Sequence, residues 1–236
     1  TDVSLKRKVR DTVDLMRATM TDPDRYGVYV TAGTALNTIH ERAYVALGDK
    51  ASPETAQAWL KDHYFDIRMF GAVLTTGTKT AGRVTGPVQF GMARSLNPIV
   101  PTELAITRVT KTVEGHEDQT EMGNKWIVPY GLYTARIHYS AAAGKANGVT
   151  SDDLQLLWTT LHTMWDHTRS AARANMNTRG LYVFSHSSAL GDAPATQLLE
   201  MISVVSENPA PRSIGDYSIH TPDNDEIPAG VTFTAL

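Results

Sequence analysis

At 236 residues, with 42% hydrophobic and 20% charged side chains, the chain fits one domain and has enough apolar material to bury a core. Its lack of cysteine excludes a disulfide framework and thiolate metal sites, and without a signal-like or membrane-length apolar run it reads as cytoplasmic, with no membrane partner. The formal charge of −3 argues against nucleic acid only if spread evenly, yet residues 61–112 hold seven Lys/Arg against three acids and residues 190–236 hold one Arg against seven acids, a segregation that permits a basic groove on an acidic protein.

Asp2 caps an expected helix whose apolar stripe, Leu5, Val9, Val13, Met16 and Met20, recurs at spacings of three and four. Lys6, Arg7, Lys8 and Arg10 fall off that stripe. The helix begins almost at Thr1 with no starting Met, so an upstream element is expected before it. Leu36, Ile39, Ala43 and Leu47 mark a second helix, and Ser52-Pro53 supplies the cap and first turn of a third that runs to Lys61. Residues 67–75 and 84–90 read as buried strands, 106–112 as an alternating strand, and 126–139 as containing a further one. The polar stretch 113–125 between the last two fits a hairpin insertion or mobile arm. Ser151, with Asp152 and Asp153, starts the clearest helix, which carries Leu154, Leu157, Trp158, Leu161, Met164 and Trp165 on one face until about Arg173. A short strand follows at 181–185, and Pro, Asp and Asn dominate from Asn208 onward. The pattern is α+β, led by a modified RNA-recognition (RRM) or ferredoxin-like sheet with packing helices.

The chemistry concentrates in residues 66–94. Asp66-Ile-Arg-Met-Phe-Gly71 leads into a stretch with further glycines at 77, 82, 86 and 91, in which Lys79, Arg83 and Arg94 are the only charges as far as Ile99. Glycines admit a ligand close to the backbone and unopposed cations attract phosphate, so an RNA or nucleotide backbone is the expected partner, against the plainer use of the glycines in a tight turn. Gly77-Thr-Lys-Thr-Ala-Gly82 has the glycine spacing of a Walker loop, but Arg83 and Val84 stand where Lys and Ser/Thr are needed, so nucleotide hydrolysis has little support. Lys6-Arg-Lys-Val-Arg10 puts four cations where a helix dipole does not favour them, either as a solvated face or as a phosphate site. The eight histidines form no H-E-x-x-H pair, and His162 and His167 lie on different faces of one helix, so neither a metal site nor a catalytic base is read from them. Asp66 is a carboxylate without a clustered partner, poor support for a metal-dependent nuclease, and its expected place is the start of a strand. Trp158 and Trp165, seven apart, belong to the core face of their helix. Met122, Lys125 and Trp126 give the polar arm an apolar, basic flank suited to wedging between bases or to docking on a neighbouring subunit.

Five ordered segments, Thr1-Asp-Val-Ser-Leu-Lys-Arg-Lys-Val-Arg10, Asp66-Ile-Arg-Met-Phe-Gly71, Thr85-Gly-Pro-Val-Gln-Phe-Gly91, Ile127-Val-Pro-Tyr-Gly-Leu-Tyr133 and Asp166-His-Thr-Arg-Ser-Ala-Ala-Arg173, resemble the guide-RNA-binding backbone subunit of the type I-C CRISPR Cascade complex. The resemblance implies a single modified RRM-like domain over residues 1–236, missing its first strand and the loop after it in this sequence. It implies copies that polymerise along the crRNA in antiviral defence, and a thumb hairpin at about residues 108–126 that reaches over the neighbouring copy and displaces a nucleotide at intervals. It assigns Ser4, Lys6, Arg7, Lys8, Arg10, Lys79, Arg83, Gln89 and Arg94 to the guide, with Met122 and Lys125 near its bases. The implied partners are crRNA, target DNA through the guide, neighbouring copies, a large subunit and an end-capping, RNA-processing subunit. No cofactor, metal or catalytic residue is implied. Because one protein must accept any guide, phosphate and sugar contacts are expected to outnumber base-edge contacts. A metal-dependent RNA endonuclease using Asp66, as in related backbone proteins, and a general single-strand-binding module are the other readings.

Overall fold

The computed structural model describes residues 1–76, 78–108 and 121–236. Gly77 of the glycine loop and residues 109–120 of the expected thumb lie outside the described residues. Helix α1 (Asp2–Arg17) is capped by Thr1, whose Oγ1 accepts from the Ser4 amide, one residue earlier than expected, and it ends before Met20. A 3-10 turn (Pro23–Tyr26) leads to α2 (Leu36–Leu47) and α3 (Pro53–His63), the latter capped by Ser52 with Pro53 in the first turn, as its sequence predicts.

The expected strand over 67–75 is helical in its first part: α4 (Phe65–Phe70) takes in residues 67–70, and the strand, β1, is confined to Gly71–Leu74. Every residue of α4 is buried, and a short, wholly buried run gives no periodicity by which helix and strand can be told apart. Gly71, at φ 78°, stops the helix in a conformation that disfavours a side chain. The second expected strand is likewise broken, by Gly86-Pro87, into β2 (Gly82–Thr85) and β3 (Val88–Phe90). Gly71 and Gly86 meet backbone to backbone, since a Cβ at Gly86 would stand 2.1 Å from the Phe70 carbonyl carbon. These two glycines serve close packing rather than approach to a ligand, a correction to their expected use.

Next come β4 (Arg94–Ser95), β5 (Thr102–Arg108), β6 (Glu121–Ile127), β7 (Tyr133–Thr134) and β8 (Ile137–Tyr139). Helix α5 (Ala141–Asn147) precedes α6 (Ser151–Thr163), which has a reciprocal capping box between Thr150 and Asp153 and stops about ten residues short of Arg173. The chain ends with β9 (Tyr182–His186), α7 (Ala195–Glu200), β10 (Ser203–Val205), β11 (Ser218–His220) and β12 (Val231–Ala235). The strands pair antiparallel as six two-stranded ribbons, β1–β2, β3–β8, β4–β7, β5–β6, β9–β12 and β10–β11. Helices mixed with small antiparallel sheets make the chain α+β.

Two apolar clusters hold the fold. The first joins Val9 and Val13 of α1, Phe65, Met69 and Phe70 of α4, Val88 and Phe90 of β3, and Leu156, Leu157 and Leu161 of α6, with Trp165 packed against it. Helices α1 and α6 therefore cover one face of the β3–β8 ribbon. The second joins α2 and α3 to the β1–β2 hairpin through Ile39, Tyr44, Leu60, Leu74 and Val84. Arg68 bridges these parts from inside. Its guanidinium forks onto Asp153 at 2.6 and 3.0 Å and donates to the Lys61, Asp62 and Arg25 carbonyls, with both Arg68 and Asp153 side chains fully buried. Arg68 thus leaves the basic surface to which its place in the sequence assigned it.

Candidate nucleic-acid interface

The cations of α1 are not free-standing. Lys6 lies 3.7 Å from Asp2 and 5.9 Å from the centre of the Phe90 ring, so its stem is laid over β3. Arg7 and Lys8 share Asp11 at 3.7 and 3.9 Å, and Ser4 is exposed in the first turn. Long ion pairs at a surface contribute about 0–1 kcal/mol, so a phosphate can exchange for these carboxylates at little cost. Arg10 differs. Its Nε donates to Asp66 at 2.7 Å, its guanidinium sits 5.3 Å from the Phe70 ring centre, and only 12% of its side chain is exposed.

Asp66 is 1% exposed, and its oxygens also accept the Tyr29 and Val30 amides at 2.8 and 3.0 Å. It sits in the first turn of α4, not at the start of a strand, and ties α1 to the segment before α2. A carboxylate so enclosed has no open side on which to hold a metal ion and its water. Among the described residues no group of three or more His, Asp or Glu is placed to hold a metal, and no helix is long and apolar enough to cross a membrane. His186 serves its own loop, accepting the Asp192 amide on Nδ1 at 2.9 Å.

The loop between β1 and β2 folds onto α2 and the turn after it. Lys79 pairs with Asp49 at 2.5 Å and lies 5.1 Å from the Tyr44 ring centre, while the Tyr44 hydroxyl donates to the Thr80 carbonyl. The Lys79 ammonium holds the Asp49 carboxyl below its ordinary value by hydrogen bond and by charge. Arg83, exposed on β2 opposite the exposed Val73, carries no ion pair among the described residues. Lys79 and Arg83 therefore belong with the second core cluster, whereas Lys6 lies beside β3.

On the β3–β8 ribbon, Val88 and Phe90 point into the core and Gln89 points away, directly opposite His138. Beyond this ribbon Arg136 lies between β7 and β8, and Thr134 of β7 is paired with Arg94 of β4. The Gly91 amide donates to the Arg136 carbonyl at 2.7 Å and carries the pairing across the gap between the two ribbons. Gly91, Met92, Arg94, Thr134 and Arg136 line a cleft of about 430 Å³ at this place. Neither arginine has a carboxylate within ion-pair distance among the described residues. A second, mixed-sign cleft of about 400 Å³, with Asp14, Arg17, Asp24, Arg42 and a stacked Trp59–His63 pair, lies on the side of α2 and α3.

The β5–β6 ribbon stands apart. Its register places Met122 opposite Thr107 and Trp126 opposite Glu103 on one face, with Lys125 opposite Leu104 on the other. Met122, Trp126, Leu104 and Ile106 are 77%, 62%, 44% and 51% exposed, so apolar groups face outward on both sides. Met122 and Lys125, expected together near bases, point to opposite faces.

Residues 1–222 match the family described as CRISPR-associated protein Cas7. The chain belongs to the Cas7 family. No curated protein matches it. A chain of a solved structure described as "CRISPR RNA-guided surveillance complex, pre-nicking" is similar to it at 14% identity with a TM-score of 0.38, over 80% of this chain and 63% of that one. The Cas7 chain thus spans less than two thirds of that solved chain's length. Of the residues singled out in this Cas7 sequence, Gln89 and Arg94 lie on β3 and β4, while Lys6 lies by the Phe90 ring, on the side of β3 opposite to Gln89. Arg136 and His138 escaped sequence reading: Arg136 lies between β7 and β8, outside any strand pattern, and only its pairing opposite Gln89 singles out His138.

Proposed function

We propose that the protein is the crRNA-binding backbone subunit of a type I-C Cascade surveillance complex, acting by binding and not by catalysis. The observation that carries this reading is the β3–β8 ribbon and the cleft beyond it: α1 and α6 cover one side of the ribbon, Gln89 and His138 stand opposite each other on it away from the core, and the exposed Arg136, Thr134 and Arg94 follow at the cleft. Two helices on one side of a strand pair, with polar side chains on the other, support an RRM-like reading, in which the helix-free face holds single-stranded RNA. Ser4, Lys6, Arg7 and Lys8 at the rim, with Lys79 and Arg83 on the neighbouring hairpin, supply further phosphate contacts, and Arg10 fixes α1 through Asp66. The β5–β6 ribbon is the proposed thumb. Its two apolar faces suit contact with a neighbouring copy on one side and with bases on the other. Target DNA pairs with the held guide, and a large subunit and an end-capping, RNA-processing subunit complete the cytoplasmic antiviral complex.

The test is size-exclusion chromatography with light scattering and a 260/280 nm ratio, on protein co-expressed with and without its CRISPR array. A fixed-size, nucleic-acid-rich multimer only with the array is the expected outcome. A nucleic-acid-free monomer in both samples overturns the reading, and multimers that grow without limit on any single strand point instead to a general single-strand binder.

A further inference from the structure

We infer that Arg136 and Arg94 form one phosphate clamp for the guide strand, with Arg136 as a positioning residue that no motif in the chain announced. This inference rests on the guide-RNA reading above. Three observations support it. Arg94 lies on β4 and Arg136 in the link between β7 and β8, yet both line one cleft of about 430 Å³ together with Thr134. Both are exposed, and neither meets a carboxylate among the described residues, in contrast to Lys6, Arg7, Lys8, Arg10 and Lys79, each of which has one. Their backbones are fixed, Arg94 by pairing with Thr134 and Arg136 by the bond from the Gly91 amide, so two planar forks are held ready without loss of main-chain freedom on binding. A Cβ at Gly91 would stand 3.2 Å from the Arg136 carbonyl oxygen, so the strand approach that sets this spacing leaves little room for a side chain. Met92, 68% exposed on the rim of the same cleft, offers an apolar contact to the sugar next to the clamped phosphate.

The chemistry recognised is a phosphodiester of a single strand. Two guanidinium groups on one phosphate give an interaction insensitive to base identity, which a subunit accepting any guide requires.

The experiment is fluorescence anisotropy of a labelled, mixed-sequence single-stranded RNA, and of the same sequence as DNA, against the full chain over a series of salt concentrations. The variants are Arg136→Gln, Arg94→Gln, the double variant and Arg136→Lys, with Arg212→Gln in the acidic C-terminal stretch as control and thermal melting to confirm folding. Arg136→Gln is expected to weaken RNA binding roughly tenfold for every sequence and to lower the salt slope by about 0.7. Arg136→Lys restores part of the loss, and the double variant loses less than the sum of the two because both groups act on one phosphate. If the wild type binds RNA and Arg136→Gln binds equally well, the clamp is wrong while the guide-RNA reading stands. If the wild type binds no RNA, that reading falls and the clamp with it. A loss confined to the DNA probe overturns the assignment of the clamp to the guide.

Discussion

Arg68 and Asp153 show how far a charged residue's role depends on where it is buried. Burial by itself pushes the Asp153 carboxyl up, but the Arg68 hydrogen bonds and charge, the Thr150 amide and Arg25 outweigh it and hold the carboxyl below its ordinary value. A depressed carboxyl contributes its stability in full above the ordinary value of 3.8 and loses it as pH falls through the lower folded value. Asp153→Asn leaves the Arg68 cation unpaired in the interior, and urea unfolding at pH 7 is expected to show a loss of about 3–5 kcal/mol. A variant as stable as wild type contradicts this account. His40 works in the opposite pH range. It is 1% exposed, neither ring nitrogen has a hydrogen-bond partner, and burial pushes its imidazole below the ordinary value of 6.5. The unfolded chain therefore takes up a proton first, so stability is complete above about pH 6.5 and declines as pH falls below it. His40→Leu is expected to flatten the stability profile between pH 7.5 and 5.5, as measured by denaturant midpoints, and an unchanged slope counts against His40 as its source. Neither role is legible in the sequence, where Arg68 is one of seven basic residues in its stretch and His40 one of eight histidines.

Among the elements, α1 was the most legible, because a stripe at 3.6-residue spacing reports burial directly. Val9 and Val13 are indeed fully buried in the first core cluster. What the stripe does not report is that the intervening cations find carboxylates on the same helix and one on α4. Replacing Lys6 and Lys8 together with Glu exchanges weak pairs for like charges beside Asp2 and Asp11, so a drop of only about 1 kcal/mol in stability is expected while RNA-dependent assembly is lost. Normal assembly of this double variant counts against α1 as part of the interface. Helix α4 was the least legible element, since six buried residues in a row fit helix and strand alike and only packing against α1 and the β1–β2 hairpin selects the helix. The strands of the β5–β6 ribbon, Thr102–Arg108 and Glu121–Ile127, start several residues before those expected at 106–112 and within 126–139, and a two-stranded ribbon is marginal in water unless something covers it. With Met122 and Trp126 exposed, Met122→Ser with Trp126→Ser is expected to leave the melting temperature unchanged and to lower the number of copies assembled per guide. A large drop in stability instead places the ribbon's apolar face inside the isolated fold.

For the whole molecule, charge segregation along the chain does not by itself say which cations are exposed and unpaired. Arg68 is internal, Lys79 is paired with Asp49, and the two unopposed arginines of the cleft, Arg94 and Arg136, lie 42 residues apart in the sequence. Assembly on RNA is therefore expected to depend on a surface built from several weak, salt-sensitive contacts rather than on one charged segment, and the salt dependence of multimer formation measures it. The sequence by itself determined the α+β class, the apolar face of α1, the cap of α3, the absence of thiol chemistry and membership of the Cas7 family. These follow from local spacing, composition and ordered motifs, which are properties of neighbouring residues. Only the tertiary structure decided that 65–70 is helical, that Asp66 and Arg68 are internal struts, that Gly71 and Gly86 serve backbone packing, and that Arg136 joins Arg94. Each of these depends on partners distant in the chain, and neither desolvation nor strand register is encoded within a window of neighbouring residues.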